Sequence, residues 1–314
     1  MDDLTAHSRH QRVLIVGLGT IAKVHIDVLS RRRDTQIVGG VDPIGGEMPF
    51  PTFRSLDAAL AVGVQPDLVV VATPTSTHLD IVREALVATS ALVLSEKPLL
   101  TSVEEMTRLE PYVHRVRVAH HFAFSPEVEW AGRYVAARGW GSPERILSVF
   151  NDAYGAAVDS RLASLGSTWI DSAPNQLSLL APFLGTCAVD SHDDGGVRAC
   201  TVLRHAAGTV TLTSNWLAAD SSKQTELDYG GHRVRLDHTS MTAVVTEGDR
   251  PIEHVGYVGE LGRKEAHYAG LYDVLFNDPD DVRLSVPLAA EIARVLADAP
   301  MAPKARTTFG AIEA

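Results

Sequence analysis

Thiols are scarce in this chain: two cysteines, Cys187 and Cys200, occur among 314 residues, with no Cys-x-x-Cys pair. That argues against a disulfide framework and a clustered thiolate zinc site, and it fits a reducing cytoplasm. Basic residues are in deficit too. Lys and Arg number 28 against 39 Asp and Glu, a formal charge of −11, so neither nucleic acid nor an anionic membrane surface is an expected partner. No window approaches the roughly 18 apolar residues of a membrane span. The opening MDDLTAHSRHQ has neither the apolar stretch of a secretory signal nor a hydrophobic period, so residues 1–11 read as a loose arm. By elimination the chain reads as soluble, globular and cytoplasmic. At roughly 100 to 200 residues per domain its length corresponds to two domains.

What is present begins at Arg12. Short, wholly apolar runs (RVLIVG, QIVGGVD, DLVVVATP, ALVLSEKP, RVRVAHHF) alternate with amphipathic stretches such as Thr20 to Ser30 and DIVREALVA. Strands this apolar are buried on both faces, the mark of a doubly wound parallel sheet. Beyond Pro126 the texture changes. A helix is expected over about 127–138, a strand over RILSVFN and a further helix near 173–184, followed by half-apolar, β-rich segments such as GTVTLTSNW and HRVRLDH. These read as an open, mainly antiparallel sheet with one wet face. Two closing helices are expected at about 264–276 and 287–297. The fold class is therefore α/β for residues 1–122 and α+β for residues 123–314. A cleft between the two units is where a small-molecule site belongs.

Four strand ends carry the chemistry. VLIVGLGTIA over 13–22 has strand, tight turn and helix start in the order that turns backbone N–H groups toward a pyrophosphate, with Gly17, Gly19, Thr20 and Ile21 at the turn. Alternatively the glycine pair is only a turn. Asp42 ends QIVGGVD, 25 residues after Gly17, where a carboxylate can accept both ribose hydroxyls of an adenosine and repel a 2′-phosphate. No Arg or Lys intervenes between Arg33 and Arg54, so NAD is expected over NADP. In ATPTSTH, Thr73 and Pro74 are candidate cofactor walls, and His78 is either a helix-start hydrogen-bonder or a cofactor contact. In SEKP, Glu96 and Lys97 either form an exposed salt-bridged loop or Lys97 reaches into the cleft, its backbone held extended by Pro98.

These motifs, in this order and followed by a β-rich half, resemble the glucose-fructose oxidoreductase and inositol dehydrogenase family, Gfo/Idh/MocA, from about residue 12 to 300. The resemblance implies an N-terminal Rossmann domain and a C-terminal domain whose open sheet mediates a homodimer or homotetramer. It implies hydride transfer between nicotinamide and a sugar, cyclitol or related carbinol, with Lys97 touching both substrate and nicotinamide ribose. Many members read Asp-x-Gly-x-His-x-x-Asp in the second half. This chain reads Asp171-Ser-Ala-Pro-Asn175-Gln-Leu-Ser178, closer to the aldose 1-dehydrogenase branch.

Asparagine cannot accept a proton at working pH, so base duty falls to Lys97, with Asp171 positioning or relaying the proton and Asn175 hydrogen-bonding the ring. Pro174 suggests a helix starting near 173, with Asp171 just ahead of it as a possible N-terminal cap. The family layout also turns His121, Asp152 and Tyr154 toward the substrate; His120 reads as a structural residue. The remaining histidines, His192, His205 and His267 among them, show neither HExxH nor convergent carboxylates, so no catalytic metal is expected. Two other readings stay open: a reductase of a ketosugar, imine or other carbonyl, and a nucleotide-sensing protein without catalysis.

Overall fold

The structure of the protein, a computed structural model, describes residues 10–299. Most of the arm expected over 1–11 lies outside the described residues; Gln11 itself opens the first strand. In chain order the first half runs β1 (Gln11–Val16), α1 (Thr20–Arg31), β2 (Thr35–Val41), β3 (Thr52–Phe53), α2 (Leu56–Ala61), β4 (Leu68–Val71), α3 (His78–Ala88), β5 (Leu92–Glu96) and β6 (Val116–Ala119). The strands form one parallel sheet in the order β3-β2-β1-β4-β5-β6. Alternation along β1 decides how it is covered. Val13 and Ile15 face a core shared with α1, while Leu14 and Val16 face a second core shared with α2 and α3. Strand order reverses between β1 and β4, which opens a crevice at their carboxyl ends.

The second half runs α4 (Pro126–Arg138), β7 (Arg145–Ala153), α5 (Val158–Leu165), α6 (Thr168–Leu180), β8 (Ala188–Asp194), β9 (Arg198–His205), β10 (Gly208–Asn215), β11 (Leu217–Asp228), β12 (His232–Asp237), β13 (Thr242–Glu247), β14 (Arg250–Gly256), α7 (Arg263–Asn277) and α8 (Val286–Asp298). Eight strands form an open sheet in the order β14-β13-β12-β11-β7-β10-β9-β8. Every pairing is antiparallel except β7 with β10. Helices α4 and α6 cover one face with Val128, Ala131, Trp169 and Leu177.

The closing helices return to the first sheet. Tyr268, Leu271, Tyr272 and Leu275 of α7 lie in the core of Val13 and Ile15, whereas α8 gives Ala289 and Ala293 to the first unit and Ile292 and Val295 to the second. A cut at residue 122 thus separates the sheets but not the cores. Of the described residues, no helix is long and apolar enough to cross a membrane.

Helix α6 departs from the sequence reading. It starts at Thr168, capped by Ser167, and runs through Pro174, so Asp171 sits inside its first turn instead of ahead of it. An interior proline costs about 3 kcal/mol. Full burial of Trp169, Ala173, Leu179 and Leu180, at about 1.5–3 kcal/mol for each large apolar side chain, outweighs that cost. Packing has overridden the local break signal.

Candidate active site

Two cavities meet at the sheet's carboxyl edge. The larger, about 950 Å³, is lined by the β1–α1 turn, Asp42 to Ile44, Arg54 and the segment Ala72 to Pro74. Gly17 has φ +88°, and a Cβ there would stand 2.7 Å from the Ala72 carbonyl oxygen; only glycine suits that backbone and that approach. At Gly19 a Cβ would meet nothing within 4 Å, so glycine there keeps open the space before α1. Helix α1 has no side-chain cap and no acidic residue in its first turn. Its N–H groups and positive dipole end therefore suit an external anion. This cradle fits a dinucleotide pyrophosphate.

Asp42 closes the far end. Its carboxylate accepts the N–H of Leu18 (3.0 Å), of Ile44 (2.9 Å) and of Gly45 (3.3 Å). The Leu18 bond first, then the others, hold its carboxyl below the ordinary range despite partial burial. It is therefore an ionised acceptor whose remaining lone pairs can meet hydroxyl groups. Arg54 donates to the Pro43 carbonyl at 2.7 Å and lines the same cavity. The stretch between Arg33 and Arg54 is free of cations, but the chain folds back to bring Arg54 itself beside Asp42.

The smaller cavity, about 550 Å³, shares Ile21, Thr73, Pro74 and Arg161 with the larger. It brings together Lys97, His121, Asp152, Tyr154, Asp171 and Asn175 from four separate segments. Lys97 follows β5, its peptide bond to Pro98 is cis, and its ammonium has no hydrogen-bond or ion-pair partner among the described residues. Glu96 does not belong to an exposed salt-bridged loop. It is 6% exposed and accepts hydrogen bonds from Tyr268 Oη (2.5 Å) and His25 Nε2 (3.0 Å), while His25 Nδ1 meets Tyr272 Oη at 2.7 Å. Burial pushes the Glu96 carboxyl up, but His25, then Tyr268 and the Lys97 charge, more than reverse that and hold it below its ordinary value. The lysine thus extends from a rigid, fully hydrogen-bonded base.

His78 is buried, with Nδ1 2.9 Å from the Pro98 carbonyl oxygen and Nε2 2.8 Å from that of Thr73. A neutral ring donates to one of these carbonyls at a time, so the imidazole bridges the two loops while it also lines the smaller cavity. His120 is likewise tied to the Arg283 carbonyl. On the opposite wall, the Asn175 side-chain amide donates to the Asp171 carbonyl at 3.4 Å. Tyr154 is pushed up to about 12, by burial first and then by Asp171 and Asp152, so its phenol keeps its proton at working pH.

Several residues escaped the sequence reading. Lys223 of β11 is 8% exposed and pairs with Asp152 at 2.5 Å; burial lowers its ammonium pKa although Asp152 pulls it back up. Two-residue alternation with Thr225 and Leu227 would have set it on the inner face. Arg161, Arg263, Lys264 and His267 also line the cavity. The placement of Arg263 and Lys264 at the start of a helix, where cations are disfavoured, was the available signal. No group of three or more His, Cys, Asp or Glu suited to a metal ion exists among the described residues.

A doubly wound dinucleotide cradle joined to a polar cleft under an open sheet defines an NAD-binding oxidoreductase of the dehydrogenase and reductase class. Residues 11–121 match the model of the Gfo/Idh/MocA oxidoreductase family, NAD-binding Rossmann fold. Solved structures share the whole architecture. UDP-N-acetylglucosamine 3-dehydrogenase from Acidithiobacillus ferrooxidans is 17% identical, with a TM-score of 0.74 over 92% of this chain and 98% of that one. A myo-inositol dehydrogenase from Corynebacterium glutamicum is 18% identical, with a TM-score of 0.72 over 92% and 96%. Levoglucosan dehydrogenase in complex with NADH is 14% identical, with a TM-score of 0.77 over the same shares. At these identities the likeness is one of fold. The comparison with curated proteins gives no match.

Proposed function

We propose that the protein transfers a hydride between a nicotinamide dinucleotide, NAD in preference to NADP, and a carbinol of a sugar, cyclitol or related polyhydroxylated ring. The observation that carries this reading is the junction of the two cavities at Ile21, Thr73 and Pro74, with Lys97 on the substrate side. When bound, the dinucleotide supplies the hydride acceptor or donor; all proton handling is left to the chain. Gly17, Gly19 and the first turn of α1 hold the pyrophosphate, and Asp42 holds the adenosine ribose. Thr73, Pro74 and the Glu96–Lys97 segment border the nicotinamide end.

Lys97 Nζ, in its unprotonated form, holds the reacting hydroxyl and takes its proton to become the ammonium as the hydride leaves the same carbon. Asp171 orients that hydroxyl or passes the proton onward, and Asn175 donates to the ring. With an amide at 175 there is no imidazole base on α6. The anomeric hydroxyl of an aldose is more acidic than a secondary alcohol and asks least of such a site, which favours oxidation at C1 to a lactone. The same groups serve the reverse reaction, reduction of a carbonyl. His121, Asp152 and Tyr154 complete the substrate wall. The chain up to residue 122 then serves mainly the dinucleotide, and the chain beyond it the substrate.

The outer face of the eight-stranded sheet exposes Leu147 and Leu217 beside charged pairs such as Arg145–Asp228, and we assign it to a homodimer or homotetramer contact. The test of activity is a panel of aldoses, cyclitols and amino sugars with NAD⁺, read as NADH absorbance with wild type and Lys97→Ala. Turnover by wild type and its loss in the variant are expected; equal turnover in both contradicts the role given to Lys97. Failure of every member to bind the NAD⁺ complex would favour a sensor.

A further inference from the structure

Cations outnumber the free carboxylates of the substrate cavity, against the charge of the chain as a whole. Lys97, Arg161, Lys223, Arg263 and Lys264 line it, whereas Lys223 is the one with a carboxylate partner, Asp152. Glu96 is consumed by His25 and Tyr268. Asp171 is then the remaining carboxylate of the lining without an ion pair among the described residues. Arg161 also borders the dinucleotide cavity and can serve the pyrophosphate. Arg263 and Lys264 do not: they line the substrate cavity alone.

These two residues open α7, where the helix dipole already presents positive potential and basic side chains are disfavoured. The N-cap, Gly262, makes no side-chain hydrogen bond. Glu265, the acidic residue of that turn, does not line the cavity. Neither cation has an ion pair among the described residues; the Arg263 guanidinium lies 6.0 Å over the Phe122 ring. One turn on, at i+4 from Arg263 and on the same face, stands His267. It is 1% exposed, both ring nitrogens lack any partner, and it lines the same cavity. Beside it, at 5.8 Å between ring centroids, His121 leaves Nδ1 buried and unpartnered. A buried polar group left unmade is costly, and a cationic helix start is unfavourable; one anionic ligand group relieves both.

We propose that the substrate carries an anionic substituent, a carboxylate or a phosphate, bound at the first turn of α7 by Arg263 and Lys264, with an N–H of His267 donating to it. This deepens the dehydrogenase reading and rests on it for the identity of the remainder of the substrate. The shared chemistry is a compact oxyanion.

The test is calorimetric titration with inorganic phosphate and, separately, with the hydroxycarboxylate tartrate. The protein is titrated alone and saturated with NADH, which fills the pyrophosphate cradle. Wild type loaded with NADH is expected to bind at least one of the two, and which one it binds distinguishes phosphate from carboxylate. Arg263→Gln with Lys264→Gln should weaken that binding about tenfold to a hundredfold, the loss of charge-assisted hydrogen bonds. Arg263→Lys should recover part of it. Equal anion affinity in wild type and double variant, or no binding of either anion, overturns the proposal. Failure of NADH itself to bind would instead strike the dehydrogenase reading, and the anion titration of the free protein would still decide this one.

Discussion

The two cavities are built by opposite means. The dinucleotide cradle is made of backbone: a glycine with φ +88° pressed against Ala72, an uncapped helix start, and a carboxylate fixed by three main-chain N–H groups. The substrate cavity is made of side chains, gathered from the ends of β5, β6 and β7, from β11 and from helices α5, α6 and α7. Backbone architecture constrains residue type at consecutive positions, so it leaves a contiguous signature. A side-chain constellation constrains only the final geometry, and its members can be scattered along the sequence.

That contrast can be broken at several points. The largest effect is expected from Lys97→Ala, which should cut turnover by about a thousandfold, within the range of general acid–base contributions. Dinucleotide affinity, followed by NADH fluorescence, should change little because the cradle does not depend on that ammonium. A joint loss of both would mean that the cavities are not separable. Next is Gly17→Ala. Its Cβ would approach the Ala72 carbonyl oxygen at 2.7 Å in a left-handed backbone, a strain of about 1–3 kcal/mol. A tenfold to hundredfold weaker NADH affinity with a lowered melting temperature should follow, and unchanged NADH binding would remove the turn from the cradle.

Asp42→Ala sharpens the picture at the adenosine end. It removes a carboxylate held ionised by backbone N–H groups, so NADH should bind about tenfold more weakly. NADPH, no longer repelled and with Arg54 at hand, should lose nothing or gain. Equal losses for both cofactors in competition assays would deny Asp42 its discriminating part.

The smallest effect concerns protons in the side-chain cavity. Burial first of all holds His267 down to about 3 and His120 to about 4, against about 6.5 in the unfolded chain. Below 6.5 the unfolded state therefore binds protons that the folded state refuses. The stability these rings contribute is fully present above that pH and is lost as pH falls toward their folded values. Each ring adds up to about 1.4 kcal/mol per pH unit to the slope. His267→Leu should flatten the pH dependence of denaturant unfolding between pH 6 and 4 by about that amount; an unaltered slope would mean that the ring is protonated in the fold.

How much the sequence disclosed follows the same division. The parallel sheet, the glycine turn, Asp42 and the Lys97 segment were legible because each is a local pattern with a backbone cause. The β-rich half was legible as an open sheet, although β8, β14 and the first half of β11 passed without a signal, since their exposed polar residues mimic loops. Pro174 misled because a local helix breaker was overruled by the burial of Trp169 and Leu180. His25 could not have been singled out: a histidine on an apolar helix face acquires meaning only when the fold places Glu96 at 3.0 Å. Lys223 and Arg263 were recoverable, one from two-residue alternation and the other from its misfit with the helix dipole.

One nicotinamide ring and the Lys97 side-chain amine are expected to face a common space. A crystal structure of the protein with NADH tests it most directly. The ring is expected at the wall formed by Ile21, Thr73 and Pro74, its reactive carbon turned toward Lys97 and Asp171. A dinucleotide seated elsewhere, or a lysine pointing away from the ring into bulk water, would contradict the account.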